Sequence, residues 1–191
     1  MFTSVTRRPP AVSRLLLLVG ILVLAGCGGD GEPAGGAADL PGPVPAGVRF
    51  AEPPATALPA PGFSAELVDG TPVRGSELWD ERPYLMVFTA SFCERCRDIH
   101  RAAARAVDAQ DGAAGLLGVV GDDDAGGAEY AEELDLGYPV VAAGERDWRS
   151  FAAREPGLVV LIAKGGKVVR GWPSPPSEAA LADALDALIE R

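Results

Sequence analysis

Three uninterrupted apolar runs limit what this chain can fold into. They are Tyr84-Leu85-Met86-Val87-Phe88, Leu116-Leu117-Gly118-Val119-Val120 and Leu158-Val159-Val160-Leu161-Ile162. Each has the length of a strand, and none alternates apolar with polar. A strand that is apolar at every position needs cover on both faces of its sheet. The segments between the runs supply that cover. Residues 94–109 place Ile99, Ala103 and Ala106 on one helical face and arginines on the other. Residues 127–135 and 147–154 are expected as short helices. A last helix starts at Ser177, a suitable N-cap, and presents Leu181, Ala184, Leu185 and Leu188 at helical spacing. Strands alternating with helices predict an α/β fold with parallel neighbours in the sheet. Phe63 to Leu67 alternates as a half-buried strand, and Asp69-Gly70 then marks a turn. Lys167-Val168-Val169 follows the third run across Gly165-Gly166, a two-residue turn suited to a type I′ hairpin and an antiparallel edge. Residues 61–191 make one domain of ordinary size.

The residues ahead of that domain read differently. Arg7, Arg8 and Arg14 precede an apolar stretch, Leu15 to Ala25, that is too short to cross a bilayer, which takes about 20 residues. A basic start, a short apolar core and small residues make a secretory signal peptide. Its end, Leu24-Ala25-Gly26-Cys27, resembles the lipobox of bacterial lipoproteins. That resemblance implies a signal peptide over 1–26, cleavage before Cys27, a lipid on its thiol, and a domain held on a membrane without spanning it. Residues 28–61 hold eight prolines and seven glycines and few large apolar side chains. Such a segment buries too little surface to offset its ordering entropy, so 27–60 is expected to be a tether.

The chemistry concentrates at Ser91-Phe92-Cys93-Glu94-Arg95-Cys96, between the first apolar run and the helix that follows it. Ser91 and Glu94 have capping-box spacing, which predicts Ser91 as N-cap and Cys93 in the first helical turn. A thiolate there faces unpaired N–H groups and the positive end of the helix dipole, so its pKa falls. Arg95 and Arg97 add to this effect and Glu94 opposes it. Cys96, one turn further in, is expected to be buried. Two cysteines at this spacing can close a disulfide with little backbone movement and exchange two electrons through a mixed disulfide. A purely structural disulfide is the alternative, but a loop this short adds little stability.

This strand–Cys-x-x-Cys–helix unit resembles thioredoxin-fold proteins. More closely, residues 61–188 resemble the TlpA/ResA-like membrane-tethered thiol–disulfide oxidoreductases. The resemblance is carried by Ala60-Pro61-Gly62-Phe63 with Asp69-Gly70, by Phe88 to Cys96 with Phe92 where tryptophan is common, by Gly118 to Asp122, by Tyr138-Pro139-Val140-Val141 and by Ile162 to Val168. It implies a thioredoxin-like fold, a central mixed sheet flanked by helices with an N-terminal β-hairpin extension. It implies that Cys93 attacks and Cys96 resolves; Glu94, Arg95 and His100 are tuning candidates by their own positions beside the pair. Substrates would dock along Phe92 and the Pro156-Gly157 segment. The implied partners are exported proteins with cysteine pairs and a membrane or extracytoplasmic dithiol donor, on the extracytoplasmic or periplasmic side, with no organic cofactor and no metal. The family's cis-proline position falls by spacing on Gly157, with Pro156 one residue earlier. Its helix proline is Arg101 here, and its acid after the second cysteine is Ile99, with Asp98 adjacent.

Two other readings start from the same residues. Peroxiredoxin-like peroxidases need a threonine three residues before the attacking cysteine, where this chain has Ala90. A copper(I)-binding module would draw on His100, which shares a helix face with Cys93 and Cys96, although Sco-like copper chaperones use a longer cysteine spacing and a distant histidine, neither of which appears here. His100 is read first as an exposed helix residue, then as a tuner of Cys96, and last as a metal ligand. Asp122-Asp123-Asp124 is read as a solvated loop. Trp79, Trp148 and Trp172 belong to the core or to a substrate groove, and Trp172, followed by Pro173, is expected to be the most exposed. The formal charge of −10 lacks the basic footprint of a nucleic-acid binder. One histidine excludes a multi-histidine metal site, and three cysteines exclude a disulfide scaffold. They divide as Cys27 for lipid and Cys93 with Cys96 for redox work.

Overall fold

A computed structural model describes residues 33–121 and 124–190 of the chain. Residues 1–26, expected to be a signal peptide, and Cys27 lie outside the described residues, as do Asp122 and Asp123. In chain order the elements begin with β1 (Arg49–Phe50) and β2 (Leu58–Pro59). The hairpin β3 (Ser64–Glu66) and β4 (Pro72–Arg74) leads into α1 (Gly75–Trp79) and β5 (Tyr84–Thr89). Then come α2 (Cys96–Asp108), β6 (Gly115–Val120), α3 (Asp124–Glu133), β7 (Val140–Ala142) and α4 (Glu145–Ser150). The chain closes with β8 (Val159–Ala163), β9 (Lys167–Trp172), α5 (Glu178–Asp186) and β10 (Ile189–Glu190).

The three apolar runs become β5, β6 and β8, and every residue of each is buried. They lie within a six-stranded mixed sheet of order β2-β9-β8-β5-β6-β7. β5, β6 and β7 run parallel, while β8 is antiparallel to β5 and β9 to β8. Side chains alternate between the two faces. Leu85, Val87 and Leu161 meet Ile99 and Ala103 of α2, Ala131 of α3 and Leu181 and Leu185 of α5. Met86, Phe88, Val160 and Ile162 meet Phe63, Trp79 and Phe151 on the other face. Full burial of a side chain such as Leu85 or Phe88 contributes about 1.5–3 kcal/mol. Parallel strands need crossovers, and those through α2 and α3 step the same way along the sheet, so both helices cover one face.

Local chemistry explains where elements stop. Ser177 caps α5, accepting the Ala180 N–H at 3.2 Å as its sequence position predicts. α3 ends when Asp135 turns left-handed (φ 49°), letting the Leu136 N–H reach the Ala131 carbonyl at 3.1 Å. α4 ends the same way at Ala152 (φ 56°), with the Ala153 N–H on the Trp148 carbonyl at 2.9 Å.

Three expectations are corrected. The β8–β9 connection is a three-residue loop, Lys164 to Gly166, because Ala163 pairs with Lys167. The Gly166 N–H bonds the Ala163 carbonyl at 3.0 Å, and Gly165 and Gly166 both take positive φ. Trp172 is buried at 8% exposure as the last residue of β9, packed in the α2–α5 core with the Arg170 guanidinium 4.9 Å over its ring.

The third correction concerns the expected tether. From residue 33 it lies along the domain as a strap. The Gly35 carbonyl accepts the Val140 N–H at 2.8 Å, and the Asp69 carboxylate accepts the Ala37 N–H at 2.7 Å. Arg82, 2% exposed, donates to the Gly42 and Gly112 carbonyls. β1 then pairs with β10, and β2 with β9. Backbone hydrogen bonds do the work here that the prolines and glycines could not do by burial. The β3–β4 hairpin extends the far edge, with Leu67 bridging Val141.

Candidate functional site

β5 delivers the chain to the site and α2 carries it away. After Thr89 the Cys93 N–H donates to the Ala90 carbonyl at 2.9 Å, and the Cys96 N–H to the Cys93 carbonyl at 3.0 Å. These successive turns lead into α2, whose first residue is Cys96. The N-cap is Arg95, already in the right-handed helical region and without a side-chain cap bond. The predicted cap at Ser91 is therefore corrected: Cys93 stands ahead of the helix, not in its first turn. One turn of chain puts the two Cα atoms 5.4 Å apart, within disulfide range, and Cys93 is bonded to Cys96. Cys96 is fully buried and Cys93 half-buried, so Cys93 is the sulfur within reach of solvent.

A groove of about 420 Å³ opens beside this pair, lined by Ala90, Phe92, Trp148, Ala153 and Pro156, with Glu145 and Arg149 among its charged residues. Phe92 stands 77% exposed at this groove, next to Cys93 in the chain. Trp148 packs edge-on to Phe88 at 5.8 Å and carries the groove wall on α4. The Pro156-Gly157 segment lies against the end of β5 and the turn that holds Arg95. There is no cis peptide bond among the described residues. The segment passes the cysteines through Gly157 at φ 108°, whose N–H donates to the Phe88 carbonyl at 2.7 Å. Only glycine accepts that backbone readily, and a Cβ there would lie 3.2 Å from Ile99 Cδ1. Arg95 spans the gap, donating through Nη2 to the Pro156 carbonyl at 3.0 Å. Glu94 is exposed.

His100 is not the exposed residue expected first. It is 2% exposed, because α3 and the segment after it cover this flank of α2. Its Nδ1 is hydrogen-bonded to the Tyr138 hydroxyl, and the rings of Tyr130 and Tyr138 lie 5.7 and 5.8 Å away. Nε2 has no hydrogen-bond partner among the described residues. Burial pushes the His100 pKa down to about 4 and the Tyr138 pKa well up, so both groups are neutral near pH 7. The Tyr130 and Thr89 hydroxyls meet at 3.0 Å in the same buried cluster. Tyr130 carries no signal in the sequence and Tyr138 entered only through the Tyr138–Val141 resemblance, since their meeting with His100 depends on how α3 packs. Ile99, at the family's acid position, is buried, and Asp98 pairs with Arg101 on the surface at 3.2 Å. Among the described residues no group of three or more His, Cys, Asp or Glu side chains is placed to hold a metal ion. No helix there is long and apolar enough to cross a membrane.

No family model matches the chain, and no curated protein matches its sequence. Solved structures do match. A thiol:disulfide interchange protein of the thioredoxin family from Chlorobium tepidum is 22% identical, with a TM-score of 0.57 over 69% of this chain and 97% of that one. A DsbF homologue from Corynebacterium diphtheriae gives a TM-score of 0.62 at 10% identity, over 75% of this chain and 96% of that one. The exposed lipoprotein thioredoxin of Streptococcus pneumoniae is 20% identical, with a TM-score of 0.57 over 66% of this chain and 98% of that one. The mixed sheet, its flanking helices and a cysteine pair at the head of α2 are the thioredoxin-like fold, which this chain shares with those bacterial proteins.

Proposed function

We propose that the chain is a thiol–disulfide oxidoreductase acting on cysteine pairs of other proteins. One observation carries the reading: a half-buried Cys93 is bonded to a fully buried Cys96 beside an apolar groove that leaves Phe92 exposed. In the reduced form the Cys93 thiolate attacks one sulfur of a substrate disulfide. The first substrate thiolate leaves, and a mixed disulfide joins Cys93 to the other sulfur. Cys96 then loses its proton and attacks Cys93, releasing the second thiolate and closing the Cys93–Cys96 bond. Two electrons pass from the pair to the substrate, and the reverse sequence oxidises a dithiol.

Phe92, Pro156 and Gly157 form the docking surface for the polypeptide that carries the substrate cysteine. Glu94 and Arg95 set the charge around the pair. His100 sits one turn beyond Cys96 on α2, with its Nδ1 engaged by Tyr138, and is kept as a positioning residue for that turn. The lipobox-like run ending at Cys27 supports a lipid anchor and an extracytoplasmic site of action on exported proteins, with a membrane dithiol as electron donor. Expression of Cys96→Ala tests the reading. Mixed disulfides should accumulate on Cys93 and identify the substrates, and Cys93→Ser should abolish them. Absence of any adduct, with no reduction of a model disulfide by the purified chain, rejects it.

A further inference from the structure

The guanidinium groups beside the redox pair lack acidic partners, unlike their neighbours. Arg97, Arg101 and Arg105 of α2 pair with Glu133, Asp98 and Glu178. Arg149 of α4 pairs with Glu145. Arg95, between the two cysteines, forms no ion pair among the described residues, and its one hydrogen bond goes to a neutral group, the Pro156 carbonyl. Its side chain lies along the 156–157 segment, since a Cβ on Gly157 would stand 3.6 Å from Nε and 3.7 Å from Nη2. Arg154, two residues before Pro156, is exposed, lines the groove beside Cys93 and also forms no ion pair among the described residues. Two uncompensated positive charges thus stand beside Pro156, in a chain whose formal charge is −10.

The acids nearby do not cancel them. Glu145 is the one acid among the groove's lining residues, and Arg149 engages it. Glu94 and Glu155, adjacent in sequence to Arg95 and Arg154, are exposed and pair with neither among the described residues. The rest of the groove is apolar. Ala90, Gly121, Ala143 and Ala153 line it with small groups, and Phe92, Trp148 and Pro156 supply its large surfaces. At Gly121 a Cβ would stand 2.7 Å from Trp148 Cζ2, so glycine there lets the indole lie close against the strand end.

We propose that the site selects substrate segments that carry a large apolar residue and an acidic residue beside the reactive cysteine. The apolar side chain lies in the groove against Phe92 and Trp148. The carboxylate accepts from Arg154, and Arg95 adds a second positive charge across Pro156. The selection rests on the thiol–disulfide reading of the Cys93–Cys96 pair.

The test is reduction of disulfide-linked peptide dimers by the reduced full chain. The peptides are Phe-Cys-Xaa and Xaa-Cys-Phe in neutral glycine–serine flanks, with Xaa as Glu, Gln or Lys, and each rate is divided by that with dithiothreitol. In at least one order kcat/KM should fall about two- to fivefold from Glu to Gln, the range of an exposed ion pair, and further to Lys. The preference should shrink at about 0.5 M salt. Replacing the Phe by Ser should lower kcat/KM at least about threefold, for loss of the apolar contact. Arg154→Gln should bring the Glu and Gln rates together, and Arg154→Glu should make the Lys peptide the preferred one. Equal rates for Glu, Gln and Lys in both orders, an unchanged Glu preference in Arg154→Gln, or equal rates for the Phe and Ser peptides overturns the proposal and leaves the oxidoreductase reading in place. No turnover of any peptide rejects both.

Discussion

His100 is the single histidine of the chain, and burial alone pushes its pKa from 6.5 down to about 4. Unfolding exposes the ring and restores its ordinary value. Between pH 6.5 and 4 the unfolded chain therefore binds a proton that the native chain does not, and stability falls as the pH falls. The contribution is fully in place above pH 6.5. The gap between the two values corresponds to about 3 kcal/mol, most of it lost by pH 4.5. That is a large share of the 5–15 kcal/mol by which a domain is typically stable. Tyr138, packed on the ring, is pushed up by burial and stays neutral across this range. Arg97, Arg101, Glu133 and Asp135 also face this flank of the helix and are the same in the wild type and in a variant at position 100, so their contribution cancels in the comparison. The measurement is urea unfolding of the wild type and His100→Gln at several pH values from 7.5 to 4.5. The wild type should lose about 2.5 kcal/mol more than the variant over that interval. Only the slope with pH is compared, so a lower absolute stability of the variant does not matter. The imidazole Cε1–H resonance gives an independent reading, with its midpoint near 4. A midpoint near 6.5, or parallel curves for the two proteins, would refute the reasoning.

Gly157→Ala places a Cβ on a left-handed backbone 3.2 Å from Ile99 Cδ1, so it should cost about 1–3 kcal/mol in urea unfolding and slow reduction of a protein disulfide more than loss of stability explains. Unchanged turnover would remove the 156–157 segment from the docking surface. Ala152→Gly should act oppositely, relieving a left-handed alanine at the end of α4 and raising Tm by about 2 °C. Asp69→Ala strands the Ala37 and Thr71 N–H groups, and hydrogen exchange over residues 35–40 should accelerate, with a stability loss of about 1–2 kcal/mol. Protection equal to wild type would mean that the Gly35–Val140 bond holds the strap without it.

Much of the architecture was legible because it follows from local periodicity. β5, β6 and β8 are buried on both faces and announce themselves as continuous apolar runs, and Ser177 marks the start of α5 by its own hydrogen bond. The cysteine pair and the Pro156-Gly157 segment stand out in the sequence by spacing, and Arg95, between the cysteines, donates to the Pro156 carbonyl. What failed depended on partners distant in sequence. His100 looks exposed beside Arg97 and Arg101, and only α3 and Tyr138 bury it. Ser91 has the right residue three positions ahead for a capping box, yet the turn at Ala90–Cys93 moves the helix start to Cys96. The strap carries no pattern of its own, since backbone groups at Gly35 and Gly42 pair with Val140 and Arg82 more than 30 residues away.

The strap also settles how the sheet ends. An outermost strand normally presents a row of unused N–H and C=O groups to which another chain can add. Here β2 pairs along Lys167–Val168 on one margin, while Gly35 joins Leu67 and Val68 against β7 on the other. One contiguous stretch of chain thus covers the start of β9 on one margin and meets Val140 on the other. A chain begun at Pro61, where the sequence places the domain boundary, would keep the redox pair and the groove but expose the β9 margin and half of the β7 margin. It should self-associate with rising concentration, while the strapped protein remains a monomer.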